Sequence, residues 1–263
     1  ALTTNTEGGN NVGIGCDALQ ANTTASNNTA VGTSALAANT TGDLNVAIGA
    51  LALDANTIGD RSIAIGYLAL SAQNPASNTD MYNTAVGHAT MASLTTGAQN
   101  TAIGGVAMDK GTTTNNCVAV GYKALEEVTT GVDNTCVGKG AGASNTTGQR
   151  NLYVGIEAGN AGTTNSENCL VGRLAGKLNT ASSITALGTE ALYNNTGTGN
   201  TAAGTQSLMA NTSANNNTAV GSSSMVATTT GSENVGVGRQ VMNAQTTGGG
   251  NVAMGYQALA TTT

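Results

Sequence analysis

The feature that most constrains this chain is a glycine that returns every 17 residues. Fifteen glycines close a short motif of the form Asn-x-Ala-Val-Gly: Gly15, Gly32, Gly49, Gly66, Gly87, Gly104, Gly121, Gly138, Gly155, Gly172, Gly188, Gly204, Gly221, Gly238 and Gly255. The spacing is 17 in eleven of the fourteen intervals, 16 in the two that end at Gly188 and Gly204, and 21 between Gly66 and Gly87. Such a period marks stacked units, each burying its apolar side chains only against its neighbours. With that glycine as position zero, the unit reads N-T-A-V-G-x-x-A-L-x-x-N-T-T-G-x-x.

Each column of this alignment has a physical identity. Position −1 is Val, Ile, Leu or Met except at Ala203, position −2 is mostly Ala, and position −3 is Thr, Val, Ile, Leu or Cys. Three such residues before a glycine predict a short β-strand, because branched side chains suit the pleat. Positions +3 and +4 are usually Ala and Leu or Met, and +7 opens an Asn-Thr-Thr-Gly stretch with turn chemistry. The expected fold is therefore all-β: a parallel β-solenoid of about fifteen coils in a single repeat domain, 1–263. Stacked at about 4.8 Å per coil, the coils would make a rod. The long interval predicts a loop insertion at about 71–82.

Asn fills position −4 in twelve copies: Asn11, Asn28, Asn45, Asn83, Asn100, Asn134, Asn151, Asn168, Asn200, Asn217, Asn234 and Asn251. Stacked amides can donate and accept along such a column, and Asn tolerates the left-handed backbone of a corner. This column is read as structural. The Asn-Thr-Thr copies at Asn22, Asn39 and Asn145 match a glycosylation acceptor only through the repeat.

Three adjacent copies break the rule twice. Gly142, Gly159 and Gly176 replace the large residue at +4, and the same copies carry Cys136, Tyr153 and Leu170 instead of Ala at −2. One position loses volume where the other gains it, so −2 and +4 are expected to fill one space. Side chains alternate along a strand, which turns −1 and −3 the other way. That face is apolar too and is expected to be buried by a neighbouring chain, which points to a homo-oligomer, a trimer about the long axis.

Composition excludes several function classes. There is no Phe or Trp, charged residues are 8%, and net charge is −6, against about 25% charged residues in ordinary domains. No Lys/Arg cluster offers a footprint for nucleic acid, and no apolar run approaches the about 20 residues that span a bilayer. The chain starts Ala1-Leu2-Thr3-Thr4, without Met or a signal-peptide pattern, and reads as a mature or partial product. Catalysis needs convergent titratable groups. The one histidine, His88, reads as solvated, Asp43 and Asp60 share a column without a larger carboxylate array, and no nonapeptide calcium pattern or phosphate loop occurs. Cys16, Cys117, Cys136 and Cys169 show no CxxC spacing and read as buried small apolar side chains. No catalytic residue, metal or cofactor is expected.

The strand motif resembles the head repeats of YadA-like trimeric autotransporter adhesins. Asn45-Val46-Ala47-Ile48-Gly49 and Ser62-Ile63-Ala64-Ile65-Gly66 carry the resemblance. The longer unit looks like repeats of phage and viral tail-fibre proteins. The resemblance implies a left-handed β-roll, trimeric, on a virion or cell surface, attaching to a host receptor or glycan. The coil here is longer than the adhesin unit, and no neck, stalk or anchor is visible. Two other readings remain: a self-assembling extracellular filament, and ice binding by Thr columns such as Thr40/Thr41 and Thr129/Thr130. Within the insertion, Pro75, Met81 and Tyr82 form a candidate contact loop, since insertions in repeat arrays often lie on a binding face.

Overall fold

A computed structural model describes residues 1–260, and they form a parallel β-solenoid with one three-residue strand per coil. The chain divides into two compact units, Ala1–Asp133 and Asn134–Thr263. The first unit holds β1 (Val12–Ile14), β2 (Thr29–Val31), β3 (Val46–Ile48), β4 (Ile63–Ile65), β5 (Thr84–Val86), β6 (Thr101–Ile103) and β7 (Val118–Val120). The second holds β8 (Thr135–Val137), β9 (Leu152–Val154), β10 (Cys169–Val171), β11 (Thr185–Leu187), β12 (Thr201–Ala203), β13 (Thr218–Val220), β14 (Val235–Val237) and β15 (Val252–Met254). Within each unit successive strands pair in parallel and in register, so that Ala30, Ala47 and Ala64 form one file. The strands occupy positions −3 to −1 in all fifteen coils.

The glycine at position zero is obligatory for two reasons. Its φ lies between +116° and +141° in every coil, a region that side chains avoid. A methyl group at Gly49 would also lie 2.5 Å from the carbonyl oxygen of Gly66. Glycine therefore stacks on glycine at a distance that no other residue permits.

Beyond the strand the backbone keeps bonding from coil to coil. The Leu36 N–H donates to the Ala52 carbonyl at 3.0 Å, and the Leu51 N–H donates to Thr33 of the preceding coil at 3.0 Å. Left-handed residues at +2, +4 and −5 turn these groups along the stack; Leu36 has φ of 50° and Leu53 of 54°. A left-handed leucine costs about 1–2 kcal/mol. Full burial of its side chain offsets this with about 1.5–3 kcal/mol, and both leucines are fully buried. The corner expected at the −4 Asn column lies one residue earlier: Asn27 and Asn216 at −5 have positive φ, whereas Asn28 and Asn217 do not. The −4 residue is already entering the strand, with its amide turned inward.

The interior is a column of small and medium side chains. Position −2 is fully buried in coils two to thirteen and position +4 in all the leucine and methionine coils from Leu19 to Met242. The two positions do meet. A methyl group on Gly159 would sit 2.8 Å from the Tyr153 ring, and one on Gly176 would sit 2.7 Å from the Leu170 side chain. Coil fourteen shows a related trade. Gly236 at −2 leaves room for Val241 at +3, whose side chain would be 3.0 Å from a methyl there. Tyr153 is fully buried, and burial pushes its phenol pKa up. Its hydroxyl accepts from Asn165 at 3.3 Å and Asn168 at 3.5 Å.

Candidate functional site

Three polar columns hold the coils together, and they account for most of the residues that a motif search would single out. At −4, the Asn45 side chain accepts from the Ser62 N–H at 2.9 Å and donates to the Gly59 carbonyl at 2.8 Å. The same two bonds recur from Asn28, Asn83, Asn100, Asn151, Asn168, Asn200, Asn217 and Asn234. Asn134 likewise accepts from Asn151 and donates to Gly148, and Asn11 accepts from Asn28 and donates to Ala25. Asn11 and Asn251 are half-buried and the other ten are buried. The amides thus serve mainly backbone groups of adjacent coils rather than one another. Because each coil's N–H is the donor, Ser62, Cys117 and Ile184 can replace Asn without losing the bond from the coil before.

A second amide column lies at +7, where the composition suggests only a turn. Asn39 donates to Asn22 at 3.3 Å and Asn56 donates to Asn39 at 3.2 Å, all three fully buried. Burial also removes Asn22, Asn39 and Asn145 from consideration as glycan acceptors. A third column, at −6, uses short side chains that accept the N–H of the preceding coil. Asp43 accepts from Ser26 at 2.6 Å and Asp60 from Asp43 at 2.7 Å. The shared column of these two carboxylates is therefore structural. Burial raises the Asp60 pKa above the usual carboxylate range, with the Asp43 and Asp80 charges adding to it.

The insertion places its three named residues differently. Pro75 and Met81 are buried, Pro75 against Gly59, and only Tyr82 of the three is on the surface. Tyr82 donates to Asp80 at 3.0 Å and lies 5.9 Å from the Arg61 guanidinium, which bonds Asp80 at 2.6 Å. The exposed segment is Ala76–Asp80. His88 is exposed beside Tyr67, ring centroids 5.5 Å apart. Cys16 is also exposed, unlike the expected buried role, because position +1 points out of the coil. Among the described residues, no group of three or more His, Cys, Asp or Glu is placed to hold a metal ion. No helix among them is long and apolar enough to cross a membrane.

What the polar columns leave is the outer face of the sheet. Positions −3 and −1 supply two side chains from each of the fifteen strands, and none is charged. In the single chain this face is partly open, with ten of its thirty side chains exposed and twenty half-buried: Ile48 is 39% exposed, Ile103 42% and Leu187 43%. The turn supplies a second regular surface, with Thr41, Thr96, Thr113 and Thr130 exposed at +9. Their neighbours at +8 are tied down, since the Thr40 hydroxyl donates to the Thr57 carbonyl and the Thr112 hydroxyl to Thr129, each at 3.0 Å. No known family model matches the chain, and comparison with curated proteins finds no match.

Proposed function

We propose that this chain is the shaft or head segment of an attachment fibre on a virion or cell surface. In this reading further copies of the same chain, three in all, cover the outer face of the sheet. The observation that carries the reading is the uncharged, half-open face at −3 and −1. Full burial of Val, Leu or Ile is worth about 1.5–3 kcal/mol at about 25 cal/mol per Å², which corresponds to about 60–120 Å² of apolar surface. Five of the fourteen outward side chains of β1 to β7 are exposed and nine are half-buried, three of these being Thr. About two-fifths of that area over the five and about one-fifth over the nine gives about 230–460 Å². A stable interface takes about 800 Å² from each partner, so the strands of one unit supply about a third to a half of it. Contiguous exposed apolar surface of this size marks an interaction site. The solenoid presents it on a backbone whose polar groups are bonded coil to coil, as a fibre requires.

The experiment is sedimentation equilibrium combined with adhesion to host-cell or glycan-coated surfaces. The fibre reading expects a species of three chains that adheres. A species that grows without limit with concentration would instead identify a filament subunit.

A second reading, ice binding, draws on the exposed Thr at +9. Its weakness is the adjacent +8 hydroxyl, which is already spent on the backbone. Thermal hysteresis in a freezing assay would establish it, and the fibre reading expects none.

A further inference from the structure

A concave part of the second unit's surface coincides with a departure of the repeat. The coils that start at Gly172 and Gly188 have 16 residues, each having lost one residue of the Asn-Thr-Thr-Gly turn. The +5 column, elsewhere small or polar apart from Val226 (Ala37, Ser71, Ala92, Ala143), here becomes Tyr193 and Met209 in succession. Together with Leu174, Glu190 and Asn194 they line a shallow cavity of about 320 Å³ that is largely open to solvent.

The chemistry of the lining is specific. Glu190 is held from two sides, accepting from Arg173 at 2.8 Å and from Gln206 at 3.0 Å. The Gln206 bond, and then the Arg173 bond and charge, hold its carboxyl below the usual range, so it is ionised and fixed in place. Lys177, which adjoins Tyr193, is engaged by Glu157 at 2.8 Å. Positive and negative charges around the cavity are thus matched, which disfavours a charged ligand. The Tyr193 hydroxyl and the Asn194 side-chain amide have no hydrogen-bond partner among the described residues, and both residues are half-buried at the rim; the Asn194 backbone N–H donates to the Met209 carbonyl at 3.2 Å. Leu174 and Met209 supply apolar walls. An aromatic ring, an oriented carboxylate and an uncommitted amide and hydroxyl are the groups that recognise a neutral ring with an apolar face and a hydroxylated edge.

We propose that this cavity binds one neutral pyranose unit, stacked on Tyr193 with its hydroxyls on Glu190 and Asn194. The proposal deepens the attachment reading by assigning that function a carbohydrate ligand and a place on the chain. A single exposed sugar subsite of this kind binds with a dissociation constant on the order of 1 mM. Repetition over the copies of a fibre raises the effective affinity.

The test is saturation-transfer NMR on the full chain with methyl glycosides of glucose, galactose and mannose, and with choline as a charged control. Transfer from at least one glycoside is expected. Tyr193→Ala and Glu190→Gln should each weaken it about tenfold or more, and Tyr67→Ala should leave it unchanged. The variants are compatible with the fold, because Ala stands at +5 in several other coils and Gln at +2 in Gln206, Gln240 and Gln257. Absence of transfer from all three glycosides overturns the proposal. So does transfer that survives Tyr193→Ala, or binding of choline alone with the same dependence on Glu190. Glycoside binding by a chain that neither assembles nor adheres would uphold this site and remove the attachment reading.

Discussion

Ala47 and Ile48 are neighbours in β3, yet they live in opposite environments. Ala47 is fully buried inside the coil, while Ile48 is 39% exposed on the outside. The inner file is built to close on itself: its volumes are traded between −2 and +4, and its polar edges are spent on backbone groups. The outer file is uncharged but carries Thr at seven of its fifteen −3 positions, and among the described residues it stays partly open to solvent. The difference teaches that the coil needs no partner to complete its core, while the sheet's outer face has the composition of an interface. Stability and assembly should therefore respond to separate substitutions.

The strongest break in that comparison is Ala47→Lys. It would place an ammonium in a closed interior with no counter-charge, and a loss of more than about 5 kcal/mol is expected, seen as loss of the folded β signal in circular dichroism. Tyr153→Ala should cost about 3–5 kcal/mol through the cavity left above Gly159. The double variant Tyr153→Ala, Gly159→Leu restores the ordinary pairing of small −2 with large +4 and should recover part of the loss in thermal unfolding. Gly159→Leu alone should be destabilising, because its side chain would enter the Tyr153 ring. Additive effects of the two substitutions would refute the shared space. Asn45→Ala should cost about 1–3 kcal/mol, since it orphans the buried Ser62 N–H while Asn56 still serves Gly59. Least of all, Ile48→Lys should change the stability of the isolated chain by only about 0.5 kcal/mol, while it removes association.

Much of this was legible in the sequence because a solenoid repeats each environment fifteen times. The glycine period marks every strand to the residue, and the loss of Leu at Gly159 beside the gain of Tyr153 identifies two side chains that touch. The −4 amides could be read as a structural column from their constancy, but not as turned inward onto backbone groups of the adjacent coils. The +7 amides could not, because Asn-Thr-Thr-Gly has the composition of an exposed turn. Only closure of the coil buries Asn39 and lets it bond Asn22 and Gly42. The left-handed corner was misplaced by one residue for a similar reason. Position −5 varies among Asn27, Leu44 and Arg61, so nothing in its composition announces its backbone. Pro75 and Met81 looked available because they belong to an insertion, but their side chains fill the space that the longer coil opens. The sugar-sized cavity arises from Tyr193 and Met209 lying one coil apart, a relation that the shortened turns obscure in a fixed 17-residue alignment.

The central claim, that copies of this chain cover the outer face of its sheet, is tested most directly by the sedimentation-equilibrium mass of the purified protein beside its Ile48→Lys variant. The account predicts three times the 25.6 kDa chain for the former and a single folded chain for the latter. A parent protein that sediments as one 25.6 kDa chain at micromolar concentration, or an assembly indifferent to Ile48→Lys, would contradict it.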